Sequence, residues 1–223
     1  MGSEHNEQLH QTVILFTRYP RAGKVKTRLT ARLGPEGAAE LHSRMTKQVI
    51  GSLAPLLRTG QVHLQVYYCG GSEEEIRSWL GNDIHLARQQ GNNLGERMHH
   101  AFAQAWRQGA ERVLLIGSDC PGITSSIIES GLRYLESHDL VLGPAADGGY
   151  YLIGLRADVQ QRKQDGELTE LLFRNSAWGT GQVLRQTVRQ AEKAGLSFAL
   201  LPELHDIDRP EDLVHFHYHP GPQ

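Results

Sequence analysis

Four consecutive apolar residues, Val113-Leu114-Leu115-Ile116, run without a polar break into Gly117-Ser118-Asp119-Cys120-Pro121-Gly122. No other stretch limits the possible folds so strongly. A strand with apolar side chains pointing both ways must be covered on both faces, the condition of a central parallel strand in an α/β sheet. Gly117 and Pro121-Gly122 stop the strand, so Asp119 sits where the chain leaves the sheet. Ligands collect at that carboxyl edge in open α/β sheets. Locally, Asp119 also reads as a turn former or as the cap of the following helix.

The same alternation recurs along the chain. Residues 1–11 form a polar arm expected to be disordered, after which Val13-Ile14-Leu15-Phe16 reads as the first buried strand, ending at Thr17. Residues 35–57 carry Ala38, Leu41, Met45, Val49, Ile50 and Leu53 at helical spacing, and residues 63–68 alternate as a second strand. Ser72 and Glu75 form a capping box for a helix to Leu80, and residues 84–87 supply a third strand. Asn93 and Glu96 open another helix with Leu94, Met98, Ala101, Phe102, Ala105 and Trp106 on one face. Thr124 caps a helix to about residue 135, and residues 140–142 make a buried strand ending in Gly143-Pro144. Asp147-Gly148-Gly149 predicts a tight hairpin leading into a strand over 150–155. Residues 160–167 read as a polar surface loop, Thr180 as the N-cap of a helix over 181–194, and residues 197–201 as the last strand. A chain of 223 residues is long enough for one α/β domain with a substantial core, here spanning residues 12–223.

With 23 Lys plus Arg against 25 Asp plus Glu, the net charge of −2 supplies no global attraction for nucleic acid or a membrane surface. An anionic ligand must therefore be held by local basic groups. Cys69 and Cys120 share no metal-ligand spacing and are too few for a disulfide framework, which fits a reducing cytoplasm. No apolar run approaches the ~20 residues of a membrane span, and none is expected.

Several segments carry potential chemistry. Residues 18–29 bring Arg18, Arg21, Lys24, Lys26 and Arg28 around a Pro and a Gly after strand one, either a phosphate cradle or a solvated basic loop. They are not a Walker A loop, because Arg18 stands where the first Gly is needed and Val25 follows Lys24. Gly148 and Gly149 let backbone approach a ligand closely, and Trp178 reads as a core plug or a ring-stacking platform. Asp206 and Asp208 flank Ile207 and point the same way in extended backbone. Asp208 also fits an N-cap ahead of Pro210 and Glu211, whereas capping does not explain Asp206. Two facing carboxylates call for a cation or a basic side chain between them. His215, His217 and His219 read as surface.

Taken in order, Lys26-Thr27-Arg28-Leu29, the 90–98 segment Gln-Gly-Asn-Asn-Leu-Gly-Glu-Arg-Met, Ile116-Gly117-Ser118-Asp119-Cys120-Pro121, the 143–155 segment around Asp147-Gly148-Gly149-Tyr150-Tyr151, Trp178-Gly179-Thr180 and Asp206-Ile207-Asp208-Arg209-Pro210 resemble a known group. The chain resembles the GT-A superfamily of nucleotide-diphospho-sugar transferases, in particular the small bacterial arsenosugar-biosynthesis-type glycosyltransferases, formerly a domain of unknown function. The resemblance implies a Rossmann-like three-layer GT-A fold with a mostly parallel central sheet and a glycine-rich hairpin. It further implies a divalent cation, Mg²⁺ or Mn²⁺, at Asp119. The superfamily's usual Asp-x-Asp is absent, residue 117 being Gly, so Asp206 and Asp208 are expected to complete the metal set. Thr17, Arg18, Lys26, Arg28, Gln90 and Gly91 are implied for the nucleotide and its phosphates, and Gly148, Gly149, Tyr150, Trp178 and Thr180 for sugar and acceptor. Asp119, Asp147 and Lys26 are the implied catalytic groups, with Asp147 a base or a binder of sugar hydroxyls.

The expected activity is sugar transfer from a nucleotide-sugar to a small-molecule acceptor. The Lys-Thr-Arg-Leu segment also recurs in guanylyltransferases of phospho-organic acids, which makes nucleotidyl transfer the alternative. The missing second Asp leaves a non-catalytic nucleotide-binding regulator as a third. The oligomeric state stays open, a homodimer included.

Overall fold

The computed structural model describes residues 11–162, 167–173 and 179–215. The expected arm therefore lies outside the described residues except for Gln11, which is already in the first strand and pairs with Arg112. Trp178, His217 and His219 also lie outside them.

Seven strands form one sheet: β1 (Gln11–Arg18), β2 (His63–Cys69), β3 (His85–Arg88), β4 (Arg112–Gly117), β5 (Leu140–Pro144), β6 (Tyr150–Arg156) and β7 (Phe198–Leu200). Their order is β3-β2-β1-β4-β6-β5-β7. All neighbours pair in parallel except β6, which runs against β4 and β5. Eight α-helices accompany them among the described residues: α1 (Thr30–Ser52), α2 (Ala54–Arg58), α3 (Glu73–Leu80), α4 (Leu94–Arg107), α5 (Ser125–Tyr134), α6 (Ala157–Arg162), α7 (Glu167–Phe173) and α8 (Val183–Lys193).

The uninterrupted apolar strands sort their side chains by parity. Val13 and Leu15 of β1 and Leu114 and Ile116 of β4 pack with Val49 of α1, Leu56 of α2 and Ile128 of α5. Their alternates Ile14, Phe16, Val113 and Leu115 pack with Phe102 of α4, Leu172 of α7 and Ala191 of α8. Three layers result, as expected. At Gly154 a Cβ would meet Leu114 at 2.4 Å and Val141 at 2.6 Å, so only glycine lets β6 slot between β4 and β5.

The capping signals behave as expected at Ser72, where both halves of the box form, and at Thr124. At α4, Asn93 accepts from the Glu96 N–H at 2.9 Å, but the Glu96 carboxylate reaches one residue further back, to the Asn92 N–H at 2.8 Å. Leu94, expected on the apolar face, is exposed. Two expectations are corrected. Residues 160–162 continue α6 and residue 167 opens α7, so helix occupies both ends of the expected polar loop. Thr180 does not cap α8: the N-cap is Gln182 without a side-chain cap, and the Leu184 N–H donates to Gly148 O at 3.1 Å instead.

The chain builds β1, β2 and β3 outward on one side and then returns to the other side of β1 with β4. Loops leaving β1 and β4 part there, at the carboxyl edge where open α/β sheets take their ligands. Among the described residues no helix is long and apolar enough to cross a membrane.

Candidate active site at the carboxyl edge of strands one and four

The loop after β1 is held by its own backbone. Tyr19 N–H donates to Cys69 O at 2.9 Å, Lys24 N–H to Arg21 O at 3.0 Å, and the Arg18 guanidinium to Lys24 O at 3.3 Å. Lys26 follows in the left-handed region at φ 46, ψ 41, the one non-glycine positive φ among the described residues. That conformation costs roughly 1–2 kcal/mol. What offsets it is the burial of Val25 on one side and of Leu29 on the other, the latter among Ala38, Leu41, Met45 and Ile207. The Lys26 side chain, 3% exposed, brings its ammonium to 2.8 Å from Asp119 Oδ1, whose side chain is 55% exposed. Desolvation pushes the Asp119 pKa up, but the positive charge of Lys26 outweighs it and holds the carboxyl below its ordinary value.

His42 is a member of this site that sequence reasoning missed. It lies on the buried face of α1 with Ala38, Leu41, Met45 and Val49, a polar residue at core spacing, which was the available signal. Its Nε2 lies 2.9 Å from Arg18 O and its Nδ1 3.9 Å from Asp119 Oδ1. Burial lowers its pKa, leaving a neutral imidazole at pH 7. Thr17, expected to face the nucleotide, is buried, with its hydroxyl 3.2 Å from the Thr46 hydroxyl and 3.4 Å from His42 Nε2. Its side chain thus supports the site from behind.

The C-terminal segment straps across this edge. Leu204 bridges Ala145, and Ile207 N–H donates to Asp119 O at 3.0 Å while its side chain is fully buried among Leu29, Leu41 and Met45. The carboxylates on either side of Ile207 part company. Asp208 pairs with the Arg28 guanidinium, and its N–H donates to Asp212 at 3.0 Å. Asp206 is half-buried, and desolvation followed by the Asp147 charge raises its pKa. Burial, reinforced by Asp206, Asp119 and Asp147, drives the Cys120 thiol up as well, so those three carboxylates share one neighbourhood.

Among the described residues no three His, Cys, Asp or Glu side chains stand close enough to hold a metal ion by themselves. Magnesium sites of phosphate-handling enzymes commonly use one or two carboxylates plus phosphate oxygens. A half-exposed ionised Asp119 and a half-buried Asp206 of raised pKa, both acting on Cys120, fit a cation that arrives with a diphosphate.

The hairpin lies at the same edge, where Asp147 acts on Asp206 and Cys120. Gly148 sits at φ 86, and a Cβ there would lie 2.4 Å from Gly181 O, so the turn closes against the segment leading into α8 only with glycine. Asp147 is exposed and accepts from the Gly149 N–H at 2.8 Å. Tyr150, expected to wall a sugar pocket, packs its ring against the core, and burial raises its pKa. Thr180 is exposed. Gln90 and Gly91 are exposed on the loop after β3, where Arg97 donates to Gly91 O at 3.1 Å. Gln89, also missed, donates to Thr17 O at 3.1 Å and Tyr67 O at 3.0 Å, tying the exit of β3 to that of β1. A cleft of about 580 Å³ lies at the opposite, amino end of the sheet, lined by Thr12, His63, Gln65, Ile84 and Gln108. It is remote from this chemistry.

Residues 52–180 match the model of a family described as an uncharacterized protein conserved in bacteria, DUF2064. The chain belongs to DUF2064. A solved structure from Desulfovibrio desulfuricans G20, provisionally assigned as a nucleotide-diphospho-sugar transferase, is 36% identical to this DUF2064 chain. It superposes with a TM-score of 0.83 over 93% of the chain and 86% of its own length. A 3-phospho-D-glycerate guanylyltransferase from Phenylobacterium zucineum (strain HLK1) is 35% identical over 135 residues, 59% of the chain. The alignment covers 55% of that relative, so the chain spans about half the length of the curated protein it matches. Glucosyl-3-phosphoglycerate synthase from Mycobacterium tuberculosis, solved with Mn²⁺, UDP and glucosyl-3-phosphoglycerate, shares the fold at 14% identity. Its TM-score is 0.58 over 92% of this chain and 75% of its own. This DUF2064 chain thus has the α/β fold of nucleotide-sugar transferases, and its relatives are glycosyl or nucleotidyl transferases.

Proposed function

We propose that this protein is a cytoplasmic, divalent-metal-assisted glycosyltransferase of the arsenosugar-biosynthesis type, a single domain over residues 12–223. It moves a sugar from a nucleotide-diphospho-sugar to a hydroxyl of a small acceptor. The observation that carries this reading is the gathering of charge at this edge: Lys26 is paired with Asp119, Arg28 with Asp208, and Asp147 lies close enough to Asp206 to raise its pKa. A diphosphate suits the basic pair, and a hydroxylated, uncharged group suits the two carboxylates. A phosphorylated acceptor would add negative charge beside two carboxylates.

In this reading Asp119 and Asp206 would hold the cation, which would supply positive charge to the leaving diphosphate. Lys26 and Arg28 donate hydrogen bonds to the same oxygens, Asp208 orienting Arg28 through their ion pair. Arg18, Gln90 and Gly91 border the nucleotide, with Thr17 behind them. Gly148 and Gly149 keep the hairpin backbone close to the sugar, with Thr180 at its margin. As the bond from the anomeric carbon to the diphosphate breaks and that to the acceptor oxygen forms, the acceptor proton passes to Asp147.

A second reading, nucleotidyl transfer with release of pyrophosphate, is favoured by the likeness to the guanylyltransferase and by the lone carboxylate at the β4 exit, where residue 117 is Gly. Thermal shift with UDP, GDP, CTP and GTP, each with Mn²⁺ or Mg²⁺, followed by donor turnover, separates the two. Stabilisation by a nucleoside diphosphate and metal-dependent loss of a nucleotide-sugar supports glycosyl transfer. Preference for a triphosphate with pyrophosphate release replaces it with the second reading. Binding without turnover of any donor points to a regulator.

A further inference from the structure

Gln89 leaves β3 with its side chain turned back across the sheet. Its amide nitrogen donates to Tyr67 O on β2 at 3.0 Å and to Thr17 O on β1 at 3.1 Å, and its own main-chain N–H donates to Tyr68 O at 2.9 Å. Carbonyls only accept, so the two of them fix which way the amide faces and turn its oxygen to the Arg97 guanidinium of α4, 3.5 Å away. Arg97 in turn donates through Nε to Gly91 O at 3.1 Å. Beyond Gly91, the Glu96 carboxylate accepts from the Asn92 N–H at 2.8 Å and from the Asn93 side-chain amide at 2.7 Å. Gly91 stands at φ 127, and a Cβ there would lie 2.7 Å from Glu96 Cβ and 2.9 Å from Arg97 N, so the loop lies directly against the first turn of α4. The run 89–93 is thus fastened at both ends and in the middle. Gln90 takes no part in these bonds and is exposed.

We infer that Gln89 and Arg97 are positioning residues that hold Gln90 and Gly91 in place for the nucleoside end of the donor rather than for its diphosphate. The inference rests on the reading of the loop after β1 as the diphosphate site. Strand order decides which end of the donor the run 89–93 meets. β3 lies two strands out from β1. Neighbouring strands are about 4.8 Å apart, so the exit of β3 stands about 10 Å from that of β1, the reach of a ribose and base beyond a diphosphate held there. The exposed side chains of the loop, Gln90 and Asn92, offer hydrogen-bonding groups without charge, which suits a sugar hydroxyl or the edge of a base. A loop that is already fixed loses little freedom on binding, so the bonds behind it raise affinity without touching the ligand.

Two variants separate this role from a structural one. Gln89→Met keeps the length of the side chain and removes its amide, whereas Arg97→Lys keeps the charge and loses the fork that reaches Gln89 and Gly91 together. Calorimetry in Mn²⁺ compares inorganic pyrophosphate with UDP, GDP, CDP, ADP and dTDP. Both variants should bind the nucleoside diphosphate that wild type prefers about five- to tenfold more weakly, with pyrophosphate affinity within about twofold of wild type. A structural role alone would leave both affinities unchanged or weaken them together, and either result overturns the inference. Hydrogen exchange of the ligand-free proteins stands beside it. Amides of residues 90–93 should exchange faster in both variants, and those of residues 18–24 in Gln89→Met only, while β4 and β5 keep their protection. Unchanged exchange at 90–93, or equal loosening across the sheet, overturns the inference whatever the binding data. Wild type that binds pyrophosphate but no nucleoside diphosphate overturns the inference and spares the diphosphate reading, whereas wild type that binds none of the probes overturns both.

Discussion

Replacing Asp119 with Ala should cost more stability than replacing Lys26 with Met, although each change removes the same ion pair. The asymmetry comes from exposure, 3% for the Lys26 side chain against 55% for Asp119. Losing Asp119 strands an ammonium that water hardly reaches, whereas losing Lys26 leaves a carboxylate that water can solvate. Breaking a fully buried pair from one side costs about 3–5 kcal/mol and an exposed pair is worth about 0–1 kcal/mol. A pair open to water at one end falls between, so Asp119→Ala should cost about 1–3 kcal/mol and Lys26→Met less than about 1 kcal/mol. The left-handed backbone at residue 26 is common to all variants and cancels. For a domain of this size each kcal/mol moves the melting temperature by about 2–4 °C. The double variant should lie near Lys26→Met, because no charge is then stranded. Urea unfolding at pH 7 measures all four proteins. Because the Asp119 pKa is depressed in the fold, its contribution is present above the ordinary 3.8 and lost as pH falls through the lower folded value. The gap between wild type and Asp119→Ala should therefore close in acid. A Lys26→Met variant as unstable as Asp119→Ala, or a double variant showing the sum of both losses, would refute the reasoning.

Asp206→Asn should raise the melting temperature at pH 7. Burial and Asp147 raise the Asp206 pKa, so its penalty appears as pH climbs from the ordinary 3.8 through the folded value, and the gain should vanish at or below 3.8. No gain at neutral pH would show that Asp206 is compensated. Gly148→Ala imposes about 1–2 kcal/mol of left-handed strain and drives a Cβ against Gly181 O. It should lower the melting temperature and raise the KM for acceptor more than that for donor, and unchanged kinetics would detach the hairpin from the acceptor. Ile207→Ala empties a fully buried site under the strap and should cost about 2–5 kcal/mol in chemical denaturation. A loss below about 1 kcal/mol would mean the strap is held by its backbone bonds alone.

Patterns repeating over a few residues were readable without coordinates. The parity of Val113 to Ile116, the capping at Ser72 and Thr124 and the Asp147-Gly148 turn each depend on neighbours in the chain, and each forms. The edge position of Asp119 followed from the same local logic. Residues 160–162 and the start of α7 were misread because short helices draw stability from docking more than from propensity. Here Phe173 stacks on Phe102 at 6.0 Å, a contact that no window around residue 167 contains. Thr180 looked like a cap, but the hairpin backbone reached the first turn of α8 instead.

What the chain's own order of residues determined is the set of strands, the layered α/β class and the edge where a ligand would enter, since periodicity and turn chemistry act between near neighbours. The folded arrangement alone decided which charges meet. Arg28 and Asp208 are 180 residues apart, His42 comes from a helix behind the sheet edge, and the inward turn of Lys26 depends on Ile207 packing beside Leu29. Charge partners depend on distance in space, and distance in space is set by packing across the whole sheet.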